Sequence, residues 1–253
     1  MVENKNREVK YLIDIINNVS YNKNRFKLMV GNEKFLFGIV SGQNNSTVLS
    51  ELMQYKTIYD TLRDLDNKIK LSFQKAINYA YSSNVQNNFS ILNIGSEEEA
   101  LAYYYIENAL FRTSSLWDML GQLYRMYYNI NINQDKVYYK QIFNPRSSHS
   151  NNYQDKANEI NSYLTQENET DIDGQWKGNH QFVNNCRNKM THRNSPNIAT
   201  MSDFDINFKQ HPTFLLKRII EDYKVVSEYI NEILEKIEET VVEDSAKSTN
   251  IND

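Results

Sequence analysis

Arg187, Asn188 and His192 stand in the order R-N-x-x-x-H near the end of an unusual stretch, residues 175–193. That stretch holds Lys177, Arg187, Lys189 and Arg193 together with His180 and His192, and contains no Asp or Glu. A guanidinium offers a bidentate fork for a phosphate, and an imidazole titrates near neutral pH. With a bound 2′-hydroxyl, those two groups suffice for metal-free cleavage of RNA. The imidazole moves a proton while the guanidinium stabilises the pentacoordinate phosphate. On charge alone the same stretch also reads as a solvated basic helix face.

The spacing sets a geometric problem. Five residues along an ideal helix turn about 140°, so the two side chains do not share a face. Convergence needs the reach of the arginine, unwinding at the helix end before Pro196, or a second subunit that completes the site. A helix C-terminus also favours the cationic form of His192.

The elements that must position these residues are mostly helical. The chain has 253 residues, with 28 Lys+Arg against 32 Asp+Glu, a formal charge of −4 and 40% hydrophobic residues. That is ample for a packed core. Only 7 Gly and 3 Pro occur, and neither GxGxxG nor GxxxxGK[ST] is present, which argues against a glycine-rich phosphate cradle. A net acidic chain lacks the bulk positive charge of a general nucleic-acid coat, so any polyanion must be gripped locally.

Leu52, Tyr55, Tyr59, Leu62, Ile69, Phe73 and Ala76 recur at spacings of three and four, predicting a helix over 48–81 broken only by Asp66. Residues 82–95 read as a polar loop. Ser96 and Glu99 form an S-x-x-E capping box that opens a helix over 97–129. That helix is apolar around much of its circumference, which predicts a central position or a subunit interface. Residues 131–152 read as a surface connection, 153–166 and 175–193 as shorter helices, and the segment from Pro212 as a last long helix. Residues 1–47 read as a β-rich extension: Phe26, Leu28 and Val30 alternate, Gly31-Asn32 turns, and Phe35, Phe37 and Ile39 alternate again. Within it, Val9, Tyr11, Ile13 and Ile15 fit a strand as well as Leu12, Ile16 and Val19 fit a helix. The expected organisation is an N-terminal extension over 1–47, a helical domain over 48–242 and a disordered tail over 243–253. The fold class is mainly α, a four- to five-helix bundle.

R-N-x-x-x-H near the end of a helical bundle resembles the R-x(4–6)-H motif of the HEPN superfamily, the higher eukaryotes and prokaryotes nucleotide-binding domains. The segment from Tyr105 through Arg112 to Leu116-Trp117-Asp118 is similar to the long second helix of stand-alone bacterial HEPN proteins. The resemblance covers roughly residues 50–240. It implies a metal-independent endoribonuclease, often a toxin or phage-defence effector, whose two motifs face each other across a dimer. Carried over, Arg187 would hold the scissile phosphate, His192 would act as general base or acid, and Asn188 would orient one of them. The ends produced would be a 2′,3′-cyclic phosphate and a 5′-hydroxyl. Lys177, Lys189 and Arg193 are the expected RNA-binding cations. RNA, a second copy of the chain, and an antitoxin or regulatory protein are the implied partners. Members paired with a nucleotidyltransferase antitoxin often carry Tyr two residues after the His, where this chain has Asn194. Control by AMP transfer is therefore not supported. The alternatives are a non-catalytic HEPN-like module that binds RNA, a nucleotide or a protein, and a helical interaction protein that docks through its hairpin.

Glu107, Arg112 and Asp118 interrupt an apolar helix; a structural bridge from Arg112 to Asp118 or Glu107 is the leading expectation, with a place beside the cleft as the other. His180 reads as a surface histidine that can face the same groove as Arg187, His149 as exposed, and His211 as a helix-start residue. The histidine spacing and the single Cys186 argue against a metal site, and no cofactor is expected. The polar N-terminus and the lack of a long apolar run predict a cytoplasmic protein with no membrane span.

Overall fold

The computed structural model describes residues 2–26, 29–30, 33–34, 48–93, 95–169, 176–192, 197–202 and 205–249. Of these, the backbone alone is described at 2–4, 29–30, 33–34, 48–52, 192, 200–202, 205–207 and 241–249. The fold is mainly α. Three long helices, α2 (Val48–Ala80), α4 (Glu97–Tyr127) and α8 (Pro212–Thr249), pack against one another. Around them lie α1 (Val2–Asn18), α3 (Ser83–Asn88), α5 (Tyr139–Ile142), α6 (Gln154–Thr165) and α7 (Asn179–His192).

The N-terminal segment corrects the expectation of a β-rich extension. Leu12 and Ile16 are 0% and 2% exposed, whereas Tyr11 and Ile13 are 46% and 40% exposed. Burial therefore follows the helical period, and α1 packs its apolar stripe against α2 and α8. The described part of the expected hairpin is a pair of two-residue strands, β1 (Met29–Val30) and β2 (Glu33–Lys34), with Met29 opposite Lys34. Phe35, Phe37 and Ile39 lie outside the described residues. A second hairpin, β3 (Thr200–Ser202) with β4 (Asp205–Asn207), has Met201 opposite Ile206 and was not foreseen.

The stripe on α2 buries Tyr55, Tyr59, Leu62, Ile69, Phe73 and Ala76, and Asp66 is buried among them. The charge is tolerated because Lys70 Nζ lies 2.9 Å from one carboxylate oxygen and the Tyr223 hydroxyl donates to the other at 2.5 Å. At the start of α4, Ser96 Oγ accepts the Glu99 N–H at 3.2 Å, while the Glu99 carboxylate accepts the Gly95 N–H and pairs with buried Lys209. The capping box is thus tied to the approach to α8.

Segment 131–152 is more than a surface connection. Tyr139, Ile142, Phe143 and Tyr153 are buried, and α5 lies on α4. Gly121 permits that approach, since a Cβ there would sit 3.3 Å from the Tyr139 Cα. The expected loop 82–95 contains α3, whose Ser82 cap accepts the Val85 N–H at 3.3 Å. At the other end, α8 continues to Thr249 through the expected tail, where Glu243, Ala246 and Lys247 are good helix formers. His211 does open α8: its carbonyl accepts from Phe214 and Leu215, and its Nδ1 accepts the Thr213 N–H at 3.3 Å. Among the described residues, no helix is long and apolar enough to cross a membrane.

Candidate functional site

Helix α7 carries the motif and packs against α4, α6 and α8. Its entry depends on Gly178, whose φ of +67° is one that L side chains rarely adopt. A Cβ at this position would meet the Glu167 carbonyl oxygen at 2.3 Å. Gly178 N–H donates to Gln166 Oε1 at 3.1 Å, Lys177 N–H to the Glu169 carbonyl at 2.9 Å, and Asn168 N–H to Gln181 Oε1 at 2.8 Å. The strand-like 166–169 segment is thereby stitched to the first turn of α7.

His180, the second residue of α7, is not a surface histidine. Its side chain is buried, with Nε2 3.0 Å from the Tyr139 hydroxyl and Nδ1 3.3 Å from Asp222 Oδ1. The Trp117 indole donates to Asp222 Oδ2 at 3.0 Å, and the Tyr163 hydroxyl donates to Oδ1 at 3.0 Å. Trp117 and His180 meet edge to face, with ring centroids 4.7 Å apart. This is a closed polar cluster that ties α4, α5, α6, α7 and α8 together. Burial and the neighbouring Asp222 carboxylate push the Tyr163 hydroxyl well above its ordinary value, so it remains a donor.

Arg187, seven residues beyond His180, lies on the same side of α7, and the two share Tyr139 as a neighbour. It is half-buried, and its charge is felt at Asp118 of α4 and Lys140 of α5. Burial pushes the Asp118 carboxyl above its ordinary value, and the Arg187 guanidinium partly offsets this. Burial likewise lowers the Lys140 ammonium, and the positive charge of Arg187 lowers it further. Arg187 thus occupies a compact electrostatic group with one acid, one base and a tyrosine.

The expected bridge from Arg112 is replaced by a different partner. Arg112 Nη1 donates to the Asn108 carbonyl at 3.0 Å and to Asn108 Oδ1 at 2.8 Å. Asn108 is four residues away on one helix face, whereas Asp118 is six residues on and about 240° round. Glu107 is half-buried on the same helix.

The other motif residues face elsewhere. Asn188 and Lys189 are exposed and line a cleft of about 500 Å³ with Phe182 and Cys186, closed by Gln210 just before α8. Lys177 is exposed at the entry to α7, and its carbonyl accepts from Arg218 at 3.0 Å. His192 is the last residue of α7, so the helix is unbroken from Arg187 to His192 and the backbone does not unwind between them. Their helix positions stay about 140° apart. Arg193 and Asn194 lie outside the described residues. The fold therefore places Arg187 on the side of α7 that carries His180, and Asn188 and Lys189 at the cleft, so it separates these two groups.

Sequence reasoning missed Asp222, Tyr163 and Arg218. Arg218 and Asp222 are four residues apart and each immediately precedes a residue of the apolar stripe, Ile219 and Tyr223. At about 100° per residue, both positions fall at the edge of the buried face, a signal that burial could have been read from. The chain matches no protein-family model, no curated protein and no solved structure.

Proposed function

We propose that the protein is a metal-independent endoribonuclease of the HEPN type that acts as a dimer. The supporting observation is the course of α7. Because the helix runs unbroken through His192, the helix positions of Arg187 and His192 are about 140° apart, and a site containing both is best completed by two copies. In that site Arg187 of one copy stabilises the charge on the phosphate, and His192 of the other takes the proton from the attacking 2′-hydroxyl. The 2′-oxygen bonds to phosphorus, the bond to the 5′-oxygen breaks, and that oxygen leaves with a proton. The products are a 2′,3′-cyclic phosphate and a 5′-hydroxyl. Asn188, Lys189, Arg193 and Lys177 supply polar and cationic contacts to the RNA. A toxin or phage-defence role in the cytoplasm, restrained by an antitoxin or regulatory protein, belongs to the same proposal.

A non-catalytic RNA-binding module is the second reading, favoured by one observation. Arg187 is half-buried and its charge acts on the half-buried Asp118 carboxyl, the setting of a structural rather than a catalytic arginine. Incubating purified protein with varied RNAs in EDTA, alongside Arg187→Ala and His192→Ala, decides between them. Cleavage by the wild type that both variants lose supports the nuclease. Intact RNA throughout, or equal cleavage by the variants, sinks it. A monomer at micromolar concentration would remove the composite site.

A further inference from the structure

The cleft beside α7 has the chemistry of a nucleotide site. Asn168, Asn185, Asn188 and Gln210 line it with amides, each offering both a donor and an acceptor. Phe182 offers an apolar ring, and Lys189 is the cation at its wall. None of the described lining residues is a carboxylate. Its volume of about 500 Å³ falls within the range of small-molecule sites.

The second layer strengthens the case. Arg218 is fully buried behind Phe182, its guanidinium carbon 4.6 Å from that ring's centroid. It donates to Asn168 Oδ1 at 2.8 Å, which fixes the orientation of the Asn168 amide. Among the described residues, its Nε and Nη1 have no hydrogen-bond partner. A buried guanidinium stays charged, and the Glu221 and Asp222 carboxylates of α8 are among its charged neighbours. Gln210 Oε1 is likewise buried without a partner among the described residues.

We propose that this cleft holds one nucleotide of the RNA chain, with its base among the amides and Phe182 and its phosphate beside Lys189. This rests on the ribonuclease reading for its link to RNA. Positions 185, 188, 189 and 192 form one row along α7, at the i, i+3, i+4 and i+7 spacing. The cleft is therefore continuous with the helix position of His192, while Arg187 leaves from the opposite side. One protomer would then hold both the flanking nucleotide and the general base, and its partner would supply the arginine. The bound base would select the residue next to the scissile bond.

The test is calorimetric titration of the full chain with AMP, CMP, GMP and UMP, with adenosine and inorganic phosphate as separate arms. At least one monophosphate is expected to bind, more tightly than adenosine or phosphate alone. Lys189→Ala and Gln210→Ala should each weaken that binding about tenfold, and Lys68→Ala, an exposed lysine of α2, should leave it within twofold. Absence of binding at millimolar nucleotide, binding of phosphate as tight as any nucleotide, or variants equal to wild type would each overturn the proposal. RNA cleavage assayed on the same preparations keeps the two ideas apart. Nucleotide binding with this pattern but no cleavage retains the cleft and removes the nuclease; cleavage without nucleotide binding does the reverse.

Discussion

At the start of α7, His180 is enclosed by Trp117, Tyr139 and Tyr163 and faces Asp222, whereas from Asn185 onward the same helix turns Asn188 and Lys189 to an open cleft. The first half is anchored by side-chain and backbone bonds from residues 166–169, α5 and α8. In the second half the described side chains of Asn185, Asn188 and Lys189 are exposed. A buried polar cluster linked across several elements is costly to break, whereas exposed side chains stay open to solvent and ligands. The His180 cluster is therefore scaffold, and the later turns are the part available for chemistry.

The contrast can be broken at several points. Asp222→Ala should have the largest effect, since it strands the Trp117 indole, the Tyr163 hydroxyl and His180 inside the core. A loss of about 3–5 kcal/mol is expected in urea unfolding; a loss below about 1 kcal/mol would mean that the cluster is not scaffold. Gly178→Ala should cost about 2–3 kcal/mol because of its left-handed backbone and its contact with Glu167. Hydrogen exchange should then rise first at 166–169 and 177–181.

In the second half of α7 the effects should fall on activity. Arg187→Ala is expected to lower RNA cleavage about 100-fold or more, with thermal stability almost unchanged. A large loss of stability with no change in cleavage would instead assign Arg187 to the scaffold. Asp118→Asn sharpens the same point through pH. Burial raises the Asp118 carboxyl, so its favourable contribution is present below the ordinary carboxyl value and is lost as pH rises through the raised one. The variant should therefore melt higher than wild type at neutral pH, with the gain vanishing in acid. A gain that is the same at all pH values would trace to packing. The smallest expected effect is that of Lys189→Ala, which should reduce the slope of log affinity for single-stranded RNA against log salt by about 0.7.

The helices were legible because their signal is local. The stripes of α2 and α8, the Ser96 cap and the His211 start all follow from residues within four positions of one another. Where two periods competed, as at residues 9–19, sequence left the matter open, and enclosure of Leu12 and Ile16 by α2 and α8 settled it as helix. Tyr139 and Phe143 looked like parts of a connection because the partner that buries them, α4, is distant in sequence. In the candidate site, R-N-x-x-x-H and its basic surroundings were visible, but the electrostatic coupling of Arg187 to Asp118 was not. His180 was misread for the same reason.

Sequence alone determined that this is a helical chain with one acid-free basic stretch ending in Arg187 and His192, since composition and short-range periodicity are properties of neighbouring residues. Tertiary structure decided which polar groups are scaffold and which are exposed. Asp222 meets Trp117 across 105 residues and Tyr163 across 59, and no local pattern encodes such enclosure. Burial changes the worth of a charge or hydrogen bond by several kcal/mol, and burial is a property of the assembled core.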